Sequence, residues 1–113
     1  MLIVKRTGQV LASEVIKADT FSKRFVGLMG KISMSSREAL IIEPCNQVHT
    51  FFVFFPLDLL FIDSNNVIIK DLRNVPPFRI TPKVAKASRV VELRGGSLDE
   101  LDISSGDRLI IKR

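Results

Sequence analysis

The sequence has 113 residues, of which 46% are hydrophobic and 26% are charged. This balance is typical of a single folded domain over residues 1–113 and excludes extended disorder. The net charge is +5, but the cations are dispersed in pairs. The single cysteine excludes an intrachain disulfide, and no run approaches the roughly 18 apolar residues of a transmembrane segment. These features predict a cytoplasmic protein.

The first third of the chain predicts a hairpin followed by a helix. Residues 2–6 and 10–17 are rich in residues that favour strands, and the Gly8 turn between them favours antiparallel pairing. Apolar residues then recur at helical spacing, which predicts one packed helix at about 21–30, with Asp19 or Thr20 as its N-cap. The residues of this helical face are Phe21, Phe25, Leu28, Met29 and Ile32.

The middle of the chain predicts a buried strand and a second hairpin. Residues 39–43 form the short strand, which Pro44 ends. Pro56 separates residues 49–55, a short strand or extended arm, from residues 57–63, whose partner strand is 67–74. Five of the eight phenylalanines lie between positions 51 and 61, and phenylalanine without tryptophan or tyrosine favours core filling over a recognition surface.

The last third predicts a long crossing loop and two closing strands. Residues 75–86 contain three prolines and no regular period, which favours a loop. Strands follow at 87–94 and 107–112. The predicted fold class is therefore mainly β (α+β), a small antiparallel β-sandwich or partly open barrel of about seven strands with one packed helix.

Several strings resemble the family called domain of unknown function 192. They are RFVGLMG, PCNQVHTFF, FPLDLLFID, VVELRGG and the Gly106-Asp107 pair before the last strand. The resemblance covers roughly residues 20–112 and implies a small β-sandwich or barrel with one helix and no established activity. Many members of that family have a Trp-Met-x-Asn string before the Pro-Leu-Asp motif. This chain has Phe-Phe-Val-Phe at that place, after Thr50.

Six residues are candidates for ligand binding: Arg24, Cys45, His49, Thr50, Asp58 and Glu92. His49 is the only histidine, and its alternatives are a general acid or base and a tether for the Pro44 loop. Asp58 alternates onto the face of Leu60 and Ile62, so it is either a structural acceptor for backbone donors or a site residue beside His49.

Thiol catalysis is one reading of Cys45, with the thiol as nucleophile, His49 as its base and Asp58 or Glu92 as the group that orients the base. The alternative is a small buried thiol. Arg24 lies in the first helical turn, where the helix dipole disfavours a cation, so Asp58, Glu92 or a bound anion is its expected partner. No paired-ligand spacing such as CxxC is present, which predicts no metal, and no phosphate-binding glycine loop or other motif predicts a cofactor.

These observations favour a non-enzymatic binding or accessory module with a site near residues 44–58. Its partner is an unknown protein or small molecule, and the chain is expected to be a monomer or weak dimer. One alternative is a small hydrolase or transferase that uses Cys45, His49 and Asp58. The other is a binder of RNA or another anionic surface that uses the positive net charge.

Overall fold

The computed structural model describes residues 1–18, 34–51 and 53–112. These residues form eight strands and no helix. The strands are β1 (Leu2–Val4), β2 (Val10–Ala12), β3 (Glu14–Ala18), β4 (Glu38–Ile42), β5 (Leu57–Ile62), β6 (Ile68–Val75), β7 (Arg89–Arg94) and β8 (Leu109–Ile111). The helix predicted at 21–30, and Arg24 with it, lies outside the described residues, so no packed helix is supported.

The strands form two sheets and not a closed barrel. One sheet has three strands in the order β2-β1-β8, and the other has five in the order β3-β4-β7-β5-β6. All the pairs are antiparallel except β3 with β4, which run parallel. The mainly β class is confirmed.

Strand β7 lies at the centre of the larger sheet, and its alternating side chains divide the interior in two. Val91 and Leu93 face the three-stranded sheet and pack with Leu2, Leu60 and Leu109 in what we call the inner core. Val90 packs on the opposite face in a second cluster, the outer core. This cluster also contains Leu40, Val48, Val53, Leu57, Leu59, Phe61 and Ala87.

Both predicted hairpins are present, with one change. Strands β1 and β2 pair across the Gly8 turn, where Gly8 has φ of 74°, and β5 pairs with β6. The run at 10–17 does not form one strand, because the chain changes sheet at Ser13 and continues as β3 beside β4. A bend between two packed sheets explains the eighth strand.

The prediction that the Phe51–Phe61 cluster is core filling is largely wrong among the described residues. Phe61 is fully buried, but Phe54 is 56% exposed and Phe51 and Phe55 are half-buried. Residues 51 and 53–55 belong to no strand, and only Val53 among them is buried. The arm therefore presents aromatic rings to solvent.

Candidate functional site

The extended arm and the crossing loop lie against each other. His49 and Ile80 form an antiparallel bridge. The Thr50 N–H donates to the Arg79 carbonyl over 2.8 Å, and the Thr81 N–H donates to the Val48 carbonyl over 2.9 Å. These bonds hold the loop beside the arm at the margin of the outer core.

Thr50 is the fully buried polar residue that shapes the loop. Its Oγ1 donates to the Pro76 carbonyl over 2.7 Å and accepts the Arg79 N–H over 2.9 Å. Its backbone carbonyl accepts the Phe78 N–H over 3.2 Å. Thr50 therefore satisfies loop groups that proline-rich sequence cannot satisfy by itself.

Replacing Thr50 with valine tests this role. Thr50→Val keeps the shape of the side chain but removes one donor and one acceptor, so we expect a loss of about 2 kcal/mol in the free energy of unfolding. Urea denaturation measures the loss, and hydrogen exchange should show reduced protection of the Arg79 amide. Thr50→Ser keeps the hydroxyl and should cost only roughly 1 kcal/mol for the lost methyl group; equal losses in the two variants would contradict the role of the hydroxyl.

Phe78 lies at the tip of the loop in an unusual conformation. Its φ of 63° is in the left-handed region, which bulky side chains rarely adopt. Its side chain is nevertheless 60% exposed, and so is 63% of Ile80. Strain of this kind persists only where surrounding contacts enforce it, and it is concentrated at functional positions.

The rings of His49, Phe51 and Phe78 lie in succession. His49 and Phe51 are stacked, with ring centroids 5.3 Å apart and an interplanar angle of 29°, while Phe51 and Phe78 are tilted by 45° with centroids 6.3 Å apart. With Ile80, which pairs with His49, these residues form what we call the aromatic surface. His49 is exposed, so this surface is open to solvent.

Of the two segments that build the aromatic surface, one has no Lys, Arg, Asp or Glu and the other has positive charge only. Residues 44–57 and 72–91 contain no Asp or Glu, whereas the second segment contains Arg73, Arg79, Lys83, Lys86 and Arg89. Arg73 pairs with Asp71, and Arg89 donates to Asn66. Arg79, Lys83 and Lys86 are exposed and their side chains form no ion pair with the described residues.

Asp58 is fully buried on the inner-core face, as its alternation with Leu60 and Ile62 predicts. Its Oδ1 accepts the Asn74 N–H over 2.9 Å, and its Oδ2 accepts the Leu98 N–H over 3.1 Å. The carboxylate is thus a structural acceptor for two loops. Its contact with Asn74 fixes the start of the loop that Thr50 holds further along.

His49 and Asp58 do not form the shared pocket proposed from the sequence. The residues on either side of His49 that enter the interior, Val48 and Val53, pack in the outer core. Asp58 points to the other face of the sheet, with both oxygens bonded to backbone N–H groups. The five-stranded sheet lies between the arm that carries His49 and the Asp58 carboxylate, so the structure does not bring the two side chains into one site.

Glu92 lies on the outer-core side of β7, opposite to Asp58. Its neighbours across the strand pairs are Leu40 and Leu59, and it is 5% exposed. Burial among these apolar side chains raises the pKa of Glu92 to about 8. No hydrogen bond or ion pair joins its carboxyl to another described residue, and the Arg24 proposed as its partner lies outside the described ranges.

Cys45 is half-buried, and its thiol donates to the Gln47 carbonyl over 3.2 Å. It lines a cavity of about 200 Å³ with Pro44, Asn46, Ala87 and Ser88. His49 does not line this cavity, and its Nδ1 accepts the Phe51 N–H over 3.3 Å. The orienting role proposed for Asp58 in thiol catalysis is not available, because that carboxylate lies on the other face of the sheet.

Other kinds of site are not found within the described part of the chain. No group of three His, Cys, Asp or Glu side chains in residues 1–18, 34–51 and 53–112 is placed to hold a metal ion. The same ranges contain no helix of the length and apolar character needed to cross a membrane.

The turn after β7 packs tightly against the start of β5. The Gly95 N–H donates to the Pro56 carbonyl over 2.9 Å. A Cβ atom on Gly95 would lie 3.0 Å from both the Pro56 carbonyl oxygen and the Asn74 Oδ1. Glycine therefore permits the close approach of the two chain segments.

Gly95→Ala is expected to destabilise the fold by about 1–3 kcal/mol, because the rigid Pro56 backbone must move. The urea midpoint measures this loss. Gly95→Ala combined with Asn74→Gly removes the flexible neighbour without straining the left-handed backbone at position 74, where φ is 51°, so it should not restore stability. Full recovery in the double variant would show that the backbone contact is unimportant.

Sequence reasoning missed Phe78 and Ile80. Both lie in the segment interpreted as a plain crossing loop, and exposure of either side chain depends on the loop's conformation. One signal was present: large apolar residues follow Pro76-Pro77 in a stretch without a single acidic residue. Apolar side chains in a basic, proline-rich loop are poorly suited to ordinary solvent exposure.

Comparisons with known proteins identify relatives along nearly the whole chain. The model of domain of unknown function 192, described as an uncharacterized ACR, matches residues 2–111. A UPF0127 protein of Thermococcus sibiricus is 32% identical over 113 residues, covering 96% of this chain and 73% of the relative. A UPF0127 protein of Pyrococcus furiosus is 33% identical and covers 90% of each chain.

Two crystal structures have a similar fold. A protein of unknown function from Novosphingobium aromaticivorans has a TM-score of 0.78 at 22% identity, covering 86% of this chain and 74% of that one. A proposed transcription regulator from Sinorhizobium meliloti has a TM-score of 0.77 at 29% identity, covering 85% and 79%. The first likeness concerns the fold alone.

Proposed function

The chain belongs to the family of domain of unknown function 192, and from its own geometry we propose that it is a non-enzymatic binding module. Its binding site is the aromatic surface of His49, Phe51, Phe78 and Ile80. Its partner is an acidic protein segment that also carries apolar side chains. This placement keeps His49 and Thr50 of the sequence-based candidates and adds the two residues of the crossing loop.

The observation that carries the proposal is the conformation of Phe78. A bulky residue with φ of 63° exposes 60% of its side chain, although folding normally favours burial of such a ring. Hydrogen bonds between Thr50 and Pro76, Phe78 and Arg79 enforce this arrangement. Because a buried polar residue holds the Phe78 ring in an exposed position, we infer that the ring contacts a partner and does not serve the protein's own core.

The chemistry of the surface selects the partner. Exposed Phe78 and Ile80 match apolar side chains, which lose contact with water when they bind. Arg79, Lys83 and Lys86 lie in the same crossing loop, without an acidic residue in either segment. Complementary charge would steer an acidic segment toward the surface and exclude basic ones.

Nucleic acid is the second candidate, because the same segments are basic and the Sinorhizobium relative is described as a proposed transcription regulator. The aromatic surface fits it less well. Base stacking uses flat rings in succession, whereas Ile80 contributes an aliphatic side chain to this surface. The proposed partner therefore remains a protein. We further propose that the module acts in a reducing compartment, which suits a thiol at Cys45, and that it is a monomer or weak dimer before binding.

Fluorescence anisotropy with labelled peptides tests this function. The probe is a peptide that alternates Glu with Leu and Phe, and its comparison peptides replace Glu with Gln or replace Leu and Phe with Ser. We expect binding only of the first peptide. Phe78→Ala and Ile80→Ala should each weaken it about tenfold or more, as expected for anchor side chains.

Ile16→Ala is the matched control, because Ile16 is 50% exposed but belongs to β3 at the far edge of the larger sheet. It should bind the peptide as the unmodified protein does. Equal affinity for the Gln peptide would contradict the proposal that the partner is acidic. Salt-sensitive binding of oligo(U) in preference to every peptide would replace the proposal with the nucleic-acid alternative.

A further inference from the structure

A second cavity lies at one end of the five-stranded sheet. Its volume is about 510 Å³, within the range of small-molecule sites. It is lined by Met34, Phe55, Pro56, Arg94 and Gly95, and we call it the end pocket. It shares no lining residue with the aromatic surface.

Three chain segments converge to form the end pocket. Residue 34 precedes β4, residues 55–56 precede β5, and residues 94–95 end β7. The pairing of these strands brings the three ends together, since Ala39 lies opposite Leu93 and Leu57 lies opposite Arg94. The pocket is therefore a direct product of the sheet register.

Packing and one main-chain hydrogen bond hold part of the wall of the end pocket. The Gly95 N–H donates to the Pro56 carbonyl over 2.9 Å, and a Cβ atom on Gly95 would lie 3.0 Å from that carbonyl oxygen. Met34 is 5% exposed, and Phe55 packs against the outer core. A wall that is already in place loses little free energy of ordering when a ligand binds.

Arg94 gives the end pocket its chemistry. It is the only charged residue among the described lining residues. No described residue accepts a hydrogen bond from its guanidinium or forms an ion pair with it. The acid nearest to it along the same face of β7 is Glu92, which is buried among Leu40 and Leu59 and does not line the pocket.

We propose that the end pocket binds a small organic carboxylate with an apolar body. The carboxylate lies against the Arg94 guanidinium, whose fork of N–H donors matches both carboxylate oxygens. The apolar body lies against Met34, Phe55 and Pro56. A neutral apolar ligand leaves the guanidinium unpaired, and a simple inorganic anion leaves the apolar wall in contact with water.

The site is tested by NMR titration with sodium 3-phenylpropionate, and with 3-phenylpropan-1-ol as the uncharged counterpart. We expect the acid to shift the Gly95 and Phe55 amide signals and the Arg94 Nε–H signal, and the alcohol to bind about tenfold or more weakly. Arg94→Gln should remove the difference between acid and alcohol. Lys83→Gln, which changes an exposed cation in the crossing loop, should preserve it.

The Arg94→Gln variant must show the native spectrum before titration, which is expected because the side chain of Arg94 is exposed and only its backbone pairs with Leu57. If it unfolds, Arg94→Lys takes its place and should bind the acid more weakly than the unmodified protein. Equal binding of acid and alcohol, unchanged binding in the Arg94 variant, or shifts confined to other regions would each overturn the proposal. These results are independent of the peptide assay at the aromatic surface.

Discussion

Asp58→Ala is expected to reduce the free energy of unfolding by about 3–5 kcal/mol, a large part of the total stability of a chain this size. The fully buried carboxylate accepts the Asn74 and Leu98 N–H groups. Alanine leaves both donors without an acceptor and opens a cavity in the inner core. Urea denaturation at neutral pH measures the loss.

Two further variants separate the hydrogen bonds from the charge. Asp58→Asn keeps the shape but presents an NH₂ group to one of the two N–H donors, so it should be nearly as destabilising as alanine. Asp99→Ala, at an exposed position next to Leu98, should change stability by less than about 0.5 kcal/mol. A small effect of Asp58→Asn would contradict the role of Asp58 as a double acceptor.

Glu92 is expected to make stability depend on pH. Burial raises its pKa from 4.5 to about 8 in the folded state. Between these values the folded protein keeps the proton that the unfolded chain releases, so the contribution of Glu92 to stability is fully present below pH 4.5 and is lost as pH rises toward 8. The slope is up to about 1.4 kcal/mol per pH unit, and several kcal/mol are lost over the window.

Glu92→Leu should remove this dependence and make the protein more stable than the unmodified chain at pH 8, because an apolar side chain suits the neighbours Leu40 and Leu59. Urea denaturation at pH 5 and pH 8 gives the comparison. Glu100→Gln, at an exposed position, is the control and should retain the slope. The same slope in Glu92→Leu as in the unmodified protein would show that other groups cause it.

The strings that resemble the family serve the architecture where the structure describes them. Asp58 of the PLD string holds Leu98 just beyond the RGG string, and Pro56 bonds Gly95. Asp107 of the Gly-Asp pair accepts Arg6 over 2.8 Å and the Ser104 N–H over 3.0 Å, which keeps the pKa of Asp107 below its usual value. These residues connect loops to strands.

The sequence predicted most of the sheet because local rules decide it. Turn residues between strand-favouring runs predicted both hairpins. The alternation of side chains between the two faces of β5 placed Asp58 on the correct face. It could not predict that the chain changes sheet at Ser13, since both halves of residues 10–17 favour strands equally. That choice depends on the parallel pairing of β3 with a strand more than twenty residues away.

The candidate site was less predictable, for a physical reason. His49 and Asp58 were combined by assuming that neighbouring extended segments continue one sheet, but Val53 and Phe55 belong to no strand and pack in the outer core. Exposure of Phe78 follows from loop hydrogen bonds to Thr50 and from its own left-handed backbone. No pattern of hydrophobicity records such contacts.

The central claim is that the arm and the crossing loop form a binding surface. It is tested most directly by isotope-filtered NOE measurements between the protein and a peptide that carries both Glu and apolar side chains. The protein is isotope-labelled and the peptide is unlabelled, so that the filter selects contacts between the two molecules. We predict NOEs from the peptide methyl groups to the rings of Phe51 and Phe78 and to the Ile80 methyl groups. NOEs confined to residues elsewhere, such as Ile16 on β3, would contradict the claim.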